Sequence, residues 1–406
     1  MILLKSIYSS LLTTFLFVAC TNGQSSIQHN EVGEDAVIIT VEEDKIHDRQ
    51  DISDIIDTII LKELKEDHGQ FLGEASKIFR REDQSYIIFD RYNAKRISLI
   101  DSIGNRLQSA VTQGRGPNEL TQLSDCWLGE DRKSLYVYDH ILKRITVFDT
   151  DLSTIKRTYQ NNTGDIYQNL MSVNDRQFVG YVGYSDYDPL FNEKAYHLFV
   201  LDNQLDVTAA ELPYNQLLRG AAILTDPMPF QQLDQGKVRF TQVYDNHIYV
   251  LDSLGDVHVD YVLQYDQKPF PSDFPKSILE NSELLKSNNY TPDQGKDLFS
   301  GYYGFLGEWR ETKDYIIFSS FNPDILGFRT IYDKRQHKVL KQGMLFEDAT
   351  KAVLIPNFQG IDYHTNSFLG MYSGAEIMEA FDTKSPFYAM VAQSPESNFL
   401  IEIVLK

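Results

Sequence analysis

The sequence predicts an all-β protein built from a circular array of four-stranded antiparallel sheets. Three observations carry this prediction: a hairpin phrase that recurs at a fixed spacing, an abundance of strand-forming aromatic residues, and a strand pattern at each end of the body. The 406 residues include 24 Tyr and 24 Phe, and 42% are hydrophobic. That composition supplies a sizeable core and excludes a disordered, collagen-like or coiled-coil chain.

The charge and the cysteine count exclude two further classes of protein. Lys and Arg number 38 against 58 Asp and Glu, which gives a formal net charge of −20. Because such a surface repels an anionic polymer, the sequence predicts no nucleic-acid partner. The chain has two cysteines, Cys20 and Cys126, and therefore no disulfide framework. Cys126 stands beside Trp127 in an apolar phrase and is predicted to be a buried thiol.

The first residues are predicted to be a lipoprotein signal peptide, residues 1–19, followed by a lipid attachment site. Lys5 supplies the positive start, and the mostly apolar run over residues 7–18 is too short for an ordinary membrane span. The end of this segment, Val18-Ala19-Cys20, resembles the lipobox of bacterial lipoproteins, in which cleavage precedes a cysteine that is then acylated. The resemblance implies that an acyl anchor on Cys20 holds the protein to a membrane. The alternative is an ordinary signal with an incidental cysteine.

Residues 20–35 are predicted to form a flexible tether between the lipidated cysteine and the body. In Gram-negative lipoproteins the residues just after the cysteine usually direct sorting. Thr21 is not the Asp that commonly signals inner-membrane retention, and the first acid is Glu31. We therefore expect a lipid-anchored protein of the outer membrane that faces the periplasm rather than the cell surface.

The body repeats a β-hairpin phrase. Each clear copy is an apolar run, a short polar turn and a second alternating run. The two copies are Ser85–Asp90 with Arg96–Asp101, and Leu135–Asp139 with Arg144–Asp149. The Arg-Ile pair that opens the second run recurs 48 residues later, at positions 96 and 144. A period in this range is typical of propellers, in which each blade has four strands.

Weaker copies of the second run continue along the chain and bring the number of units to six. They are Tyr196–Asp202, Val259–Asp266, Phe328–Asp333 and Leu400–Leu405. Upstream, Ile52–Leu61 alternates enough to form a strand that pairs with the C-terminal strand and closes the ring. Residues 36–406 are therefore predicted to be a six-bladed β-propeller. The alternative is an open β-sandwich or two unrelated β-domains. Separately, the loop Asp273–Asn289 is predicted to contain a short helix.

One loop and the two ends of the body carry a family resemblance. The segment Gln113-Gly-Arg-Gly-Pro-Asn-Glu-Leu120 resembles the Gly-x-Gly-Pro-x-Glu signature of six-bladed β-propeller lipoproteins of Gram-negative bacteria, of the TolB-like or NHL-like kind. The strand Asp51–Leu64 and the ending Ser397–Lys406 resemble that family's start and finish. The resemblance implies a propeller fold and an envelope address. It implies no activity, because most members have none assigned.

Three groups of residues are candidate ligand contacts, each with a structural alternative. Arg115 and Glu119 of the signature loop either bind a carboxylate or sulfate or fasten one blade to the next. Tyr184, Asp186 and Asp188 lie in a predicted loop whose aromatic and acidic side chains suit a sugar or calcium. The alternative is an exposed loop without a partner. Tyr302, Tyr303 and Trp309 form either a carbohydrate platform or part of an inner strand with buried rings.

The sequence favours a binding or scaffold module over an enzyme. No His-Glu-x-x-His, Cys-x-x-Cys or Gly-x-Ser-x-Gly motif is present, so neither a zinc site nor a nucleophile elbow has local support. The expected partner is a carbohydrate, a peptide or an outer-membrane protein. No cofactor is predicted, although the loop acids are suitable ligands for calcium. The alternative is a propeller enzyme, a lyase or calcium-dependent hydrolase, with acidic residues gathered in the central channel.

Overall fold

Six β-sheets form a closed ring, and the fold is a six-bladed β-propeller. The computed structural model describes residues 36–45, 48–65, 72–110, 119–161, 167–183, 196–213, 217, 226–266, 280–281, 302–322, 325–347 and 358–406. The first strand of each sheet lies innermost, and first strands contact one another in at least four of the six neighbouring pairs of sheets, including the last and the first. The predicted all-β propeller with four-stranded antiparallel blades is therefore confirmed.

The blades follow one another along the chain. Blade 1 comprises β4 (Lys77–Arg80), β5 (Tyr86–Asp90), β6 (Arg96–Ile100) and β7 (Arg106–Ala110). Blade 2 comprises β8 (Asp125–Leu128), β9 (Ser134–Asp139), β10 (Arg144–Asp149) and β11 (Ile155–Gln160). Blade 3 comprises β12 (Asn169–Asn174), β13 (Gln177–Tyr181), β14 (Tyr196–Asp202) and β15 (Val207–Pro213).

The second half of the ring is built in the same way. Blade 4 comprises β16 (Phe230–Gln232), β17 (Val238–Phe240), β18 (His247–Leu251) and β19 (Val257–Tyr265). Blade 5 comprises β20 (Gly304–Glu311), β21 (Tyr315–Asn322), β22 (Ile325–Asp333) and β23 (Lys338–Phe346). Blade 6 comprises β24 (Gly360–Asp362), β25 (Ser367–Ser373), β26 (Asn398–Leu405) and, as its outer strand, β3 (Ile56–Leu64).

The N-terminal segment runs along the outside of three blades. Strand β1 (Val37–Val41) adds in parallel to β19, and β2 (Arg49–Asp51) adds in parallel to β23. Strand β3 then pairs antiparallel with β26, which confirms the predicted ring closure. The strand begins at Ile56 rather than Ile52, because Ser53 bonds back to the Asp51 carboxylate and a turn precedes the strand.

Two short helices precede the last strand and were not predicted. Helix α1 (Gly374–Ala380) begins with a capping box between Ser373 and Glu376, and α2 (Pro386–Val391) begins with a proline behind Ser385. The helix predicted within Asp273–Asn289 lies outside the described residues, apart from residues 280–281.

The closing aspartate of the repeat has a structural cause. Asp101, Asp202 and Asp252 each follow the third strand of a blade, and one carboxylate oxygen accepts from the backbone N–H groups two and four residues later. The residue three positions on has positive φ, for example +94° at Gly104. In blades 1, 3 and 4 this Asx turn leads the chain into the fourth strand.

One copy of the repeat was assigned one strand too late. The sequence analysis placed the fourth unit's end at Val259–Asp266, whereas the third strand of blade 4 is β18, followed by Asp252. Both segments are apolar and both end in Asp, so the strand pattern did not separate them. The turn that follows distinguishes the two strands, because Asp252 is followed by Gly255 at a φ of +90°, as Asp101 is followed by Gly104.

The hydrophobic core lies between neighbouring blades. Separate clusters of buried side chains fill the interfaces, for example Ile87 and Phe89 of blade 1 with Leu135 and Val137 of blade 2. Blades 6 and 1 meet in the same way, so the closing interface is packed as the others are. Cys126 is fully buried in one of these clusters, as predicted, and burial raises the pKa of its thiol.

Acid is expected to destabilise the propeller through His197 of β14. This side chain is buried, its Nδ1 donates to the Val182 carbonyl (2.8 Å), and Nε2 accepts from Gln242 (2.7 Å). Burial lowers the pKa of His197 to about 4. Because the unfolded chain takes up this proton near pH 6.5 and the folded chain does not, stability falls as the pH drops from about 6.5 to 4, by about 3 kcal/mol.

Urea unfolding between pH 7.5 and 4.5 tests this expectation. In His197→Gln the fall in unfolding free energy over this range should shrink by most of that amount. The matched control is His258→Gln, because the His258 side chain is 60% exposed. An unchanged pH dependence in His197→Gln, or an equal change in the control, would contradict the role assigned to His197.

Candidate functional site

The direction of the inner strands gives the channel two different ends. The six first strands run the same way along the axis, so their first residues meet at one end and their last residues at the other. We call these the closed end and the open end of the channel. The closed end carries a ring of hydrogen bonds, and the open end carries a cavity.

The closed end is sealed by a polar ring that we define as Lys77, Asp125, Asn169, Asp226 and Arg310. All five are buried. Lys77 Nζ lies 2.5 Å from Asp125 Oδ1, and Asn169 Nδ2 donates to Asp125 Oδ2 at 3.1 Å. Three blades are thereby joined through side chains at the axis.

The polar ring continues through the remaining blades. Asn169 Nδ2 also donates to the Pro227 carbonyl (3.3 Å), and Asp226 Oδ2 accepts from the Glu308 N–H (2.8 Å) and lies 3.6 Å from Arg310 Nη1. Arg310 Nε donates to the carbonyl of Phe358, just before blade 6 (2.9 Å). Each of the first five blades is therefore tied to the next at the closed end.

The polar ring is not the acidic cluster that a channel enzyme would need. Asp125, Asn169 and Asp226 do converge at the axis, but their oxygens bond to Lys77, Arg310 and backbone N–H groups. Within the described ranges, no group of three or more His, Cys, Asp or Glu side chains could hold a metal ion. The carboxylates here neutralise buried cations, which is a structural role.

At the open end the channel widens into a cavity of about 390 Å³, which we call the inner cavity. Its floor is apolar and its rim is polar. The floor is lined by Phe79, Leu128, Met171, Met228 and Phe230; the rim is lined by Arg80, Arg132, Gln232, Asp234, Asp362 and His364. An apolar floor with a few converging polar groups is the usual make-up of a small-molecule site, and this volume lies within the usual range.

Two arginines dominate the rim. Arg132 Nη2 donates to the carbonyl of Arg80 (2.9 Å), and Asp362 lies 3.4 Å from Arg132 and 3.8 Å from Arg80. Arg80 Nη1 also bonds Glu402 at 2.7 Å. The Arg80 Nε atom is buried and has no hydrogen-bond partner. A buried guanidinium N–H without a partner costs free energy.

A third cation, Lys62, is connected to Arg80 through Tyr86 and Glu402. Lys62 Nζ donates to the Tyr86 hydroxyl (2.6 Å), which donates to Glu402 Oε2 (3.0 Å). Burial lowers the pKa of Lys62, and burial together with Glu402 raises the pKa of Tyr86. Three cations thus face two acids, Asp362 and Glu402. Glu130 and Asp234 also line the inner cavity, so its lining carries no excess positive charge.

A second cavity of about 630 Å³ opens beside the first, between blades 2 and 3. We call it the outer cavity. It shares Gly129, Glu130 and Gln232 with the inner cavity, so the two are adjoining compartments of one groove. Its remaining lining includes Asp131 and Asp175, so its polar character is mainly acidic.

A Ser–His hydrogen bond near the closed end has a structural origin. Ser124 Oγ bonds His140 Nδ1 and accepts the His140 backbone N–H (3.0 Å). Blade 1 repeats the second contact, because Ser76 Oγ accepts the Arg91 N–H at the equivalent place (3.2 Å). Ser124 is also buried, at 1% exposure. The repeat and the burial assign the pair to strand ordering rather than to nucleophilic catalysis.

Several predicted ligand contacts lie outside the described residues. These are Cys20, Arg115, Tyr184, Asp186 and Asp188. Glu119 is described, and it is half-buried with its carbonyl oxygen accepting from the Arg144 guanidinium. That contact joins the end of the signature loop to β10 of blade 2.

The predicted aromatic platform requires a correction at Trp309. Its ring is 2% exposed, stacks on Phe318 with the centroids 5.4 Å apart, and donates its N–H to Glu311 Oε2 (3.1 Å). The ring belongs to the core, and β20 is the inner strand of blade 5, which was the alternative interpretation. Tyr302 and Tyr303 are half-buried, and Tyr303 packs against the same core.

Sequence reasoning missed the residues that line the inner cavity. Arg80, Arg132 and Asp362 come from blades 1, 2 and 6 and share no local motif. They do share a position, the end of a first strand or the turn that follows it. A blade-by-blade alignment of the repeat would have indicated that position.

Comparison with models of known protein families identifies the family to which this chain belongs. A family model described as a domain of unknown function, DUF4934, matches residues 36–404. The chain belongs to this family. A search of curated proteins gives no match.

Solved structures share the fold. A Bacteroides fragilis protein that is described as exported aligns over 91% of this chain and 99% of its own, with 14% identity and a TM-score of 0.71. A DUF4221-family member from Bacteroides vulgatus aligns over 87% and 97%, with 10% identity and a TM-score of 0.52. At these identities the likeness concerns the fold. In the described part of the chain, no helix is long and apolar enough to span a membrane.

Proposed function

We propose that this protein is an envelope-anchored lipoprotein whose propeller binds a ligand in the inner cavity. The observation that carries the proposal is the cavity itself: about 390 Å³, lined by apolar side chains together with Arg80 and Arg132. The described residues provide ligand-binding groups there and no metal-binding cluster.

The envelope address rests on the start of the chain. The lipobox-like Val18-Ala19-Cys20 supports an acyl anchor on Cys20 and a TolB-like or NHL-like lipoprotein kinship, and the B. fragilis protein of the same fold is described as exported. We propose the outer membrane, with the propeller in the periplasm.

Blocking the inner cavity tests the binding function. Leu233 lines the inner cavity and is half-buried, so Leu233→Trp should fill it. We expect at least one of three probes, tetra-alanine, maltotetraose or N-acetylglucosamine, to bind the full-length chain saturably in titration calorimetry, and at least tenfold more weakly to Leu233→Trp. The control is Leu254→Trp, because Leu254 is 73% exposed on an outer turn.

Two outcomes would contradict the proposal. One is equal affinity of the wild type and Leu233→Trp for every probe that binds, which would place the binding elsewhere. The other is no saturable heat with any of the three probes. Chemical turnover of a bound probe, detected by mass spectrometry, would instead support the enzyme alternative.

A further inference from the structure

We infer that the groove formed by the inner and outer cavities binds an extended peptide, with its terminal carboxylate in the inner cavity and its terminal amine in the outer one. This deepens the proposed function and rests on it. The two cavities share Gly129, Glu130 and Gln232, so a single chain-like ligand can occupy both. A free ion or a single sugar would leave most of this combined space empty.

The inner end suits a carboxylate. Arg80 and Arg132 both line the inner cavity, and Asp362 and backbone contacts fix their orientation. Guanidinium groups recognise carboxylates through paired N–H donors, so this end selects an anionic terminus.

The outer end suits an amine. Glu130, Asp131 and Asp175 line the outer cavity, with Arg176 as the lining cation. The Asp131 carboxylate is occupied by the Lys133 N–H (2.9 Å) and by Ser134, and Asp175 pairs with Arg157 (3.0 Å). Within the described residues the exposed Glu130 side chain makes no hydrogen bond or ion pair. A ligand ammonium can therefore pair with Glu130 without breaking an existing contact.

The middle of the groove suits an amide rather than a sugar ring. Gln232 Nε2 donates to the Lys237 carbonyl (3.1 Å), which leaves the side-chain carbonyl oxygen to accept from a peptide N–H. Sugars need open aromatic faces, and the rings near the cavity are engaged. Trp127 stacks on Tyr136, Phe230 is 2% exposed, and Lys334 lies over the Tyr363 ring.

End-modified peptides separate the two contacts. The probes are tetra-alanine with free ends, its C-terminal amide, its N-acetyl form, and maltotetraose, each titrated calorimetrically into the full-length chain at pH 7 and low salt. We expect the free peptide to bind at least tenfold more tightly than the amide and several-fold more tightly than the acetylated form. We expect no saturable heat from maltotetraose.

Variants assign each end of the peptide to a residue. Arg132→Gln should abolish the discrimination between acid and amide while it keeps the discrimination against the acetyl group. Glu130→Gln should do the reverse. The matched control is Glu379→Gln, because Glu379 is exposed on α1 in blade 6 and should leave both ratios unchanged. These ratios do not depend on a modest loss of stability in either variant.

The outcomes distinguish the peptide assignment from the binding function. Equal affinity for all three peptide forms, or peptide binding unaffected by Arg132→Gln and Glu130→Gln, would overturn the inference. If maltotetraose alone binds and Leu233→Trp abolishes that binding, the cavity function stands and the peptide assignment fails. If no probe binds, both fail.

Discussion

Replacement of Asp125 by alanine is expected to lower the free energy of unfolding by about 3–5 kcal/mol. Asp125 is 1% exposed and lies 2.5 Å from the buried Lys77 ammonium. The same carboxylate accepts from Asn169 Nδ2 and from the Leu170 N–H, both at 3.1 Å. Its removal leaves a cation without a counterion and takes an acceptor from Asn169 Nδ2 and from the Leu170 and Cys126 N–H groups, at the point where three blades meet.

An aspartate in a surface ion pair, Asp151 with Arg81, is the matched control. Asp151 lies 2.6 Å from Arg81, but its side chain is 67% exposed. Asp151→Ala should therefore cost no more than about 1 kcal/mol. Urea denaturation of both variants measures the two effects. A loss in Asp125→Ala no larger than that in Asp151→Ala would show that the polar ring does not hold the closed end together.

A double replacement tests why the pair is buried. Lys77→Met with Asp125→Leu removes both charges and keeps the volume nearly constant, so it should recover most of the stability lost in Asp125→Ala. Asn169 Nδ2 and the Leu170 N–H would still lack the Asp125 oxygen in that variant, so full recovery is not expected. This result would assign the single-variant loss to the uncompensated Lys77 charge.

The fold could be predicted from the sequence where the blades repeat the same strand–turn–strand pattern. The hairpins at residues 86–100 and 134–149 could be predicted because a buried strand, a polar turn and a second strand recur in the same order. The closing strand could be predicted because β3 alternates and lies opposite an equally apolar C-terminal strand. The prediction failed at β18 and β19, where two adjacent strands have nearly the same apolar pattern.

The candidate site was much less accessible to sequence reasoning. Arg80, Arg132 and Asp362 are distant in the chain and meet only because three first strands end at the same height along the axis. Single-sequence patterns report neighbours along a strand and not neighbours across the axis. Trp309 shows the converse limit: an aromatic and glycine-rich phrase looks the same whether its rings face a ligand or the core.

The closed ring is the claim on which the cavity depends. In the closing pair of strands, Thr58 lies opposite Val404. Directly opposed Cα atoms of antiparallel strands are about 4.5–5.5 Å apart, which suits a disulfide bond. The new bond in Thr58→Cys/Val404→Cys would link the two ends of the propeller, and long loops of this kind gain up to about 5 kcal/mol of stability.

Thiol titration and urea unfolding of this double variant test the account most directly. We predict that the introduced cysteines form a disulfide nearly completely under mild oxidation, without denaturant, and that the unfolding midpoint rises and returns to the wild-type value on reduction. Thr58→Cys alone is the control and should show no such change. Two free introduced thiols after oxidation of the folded chain would contradict the closure of the ring by β3 and β26.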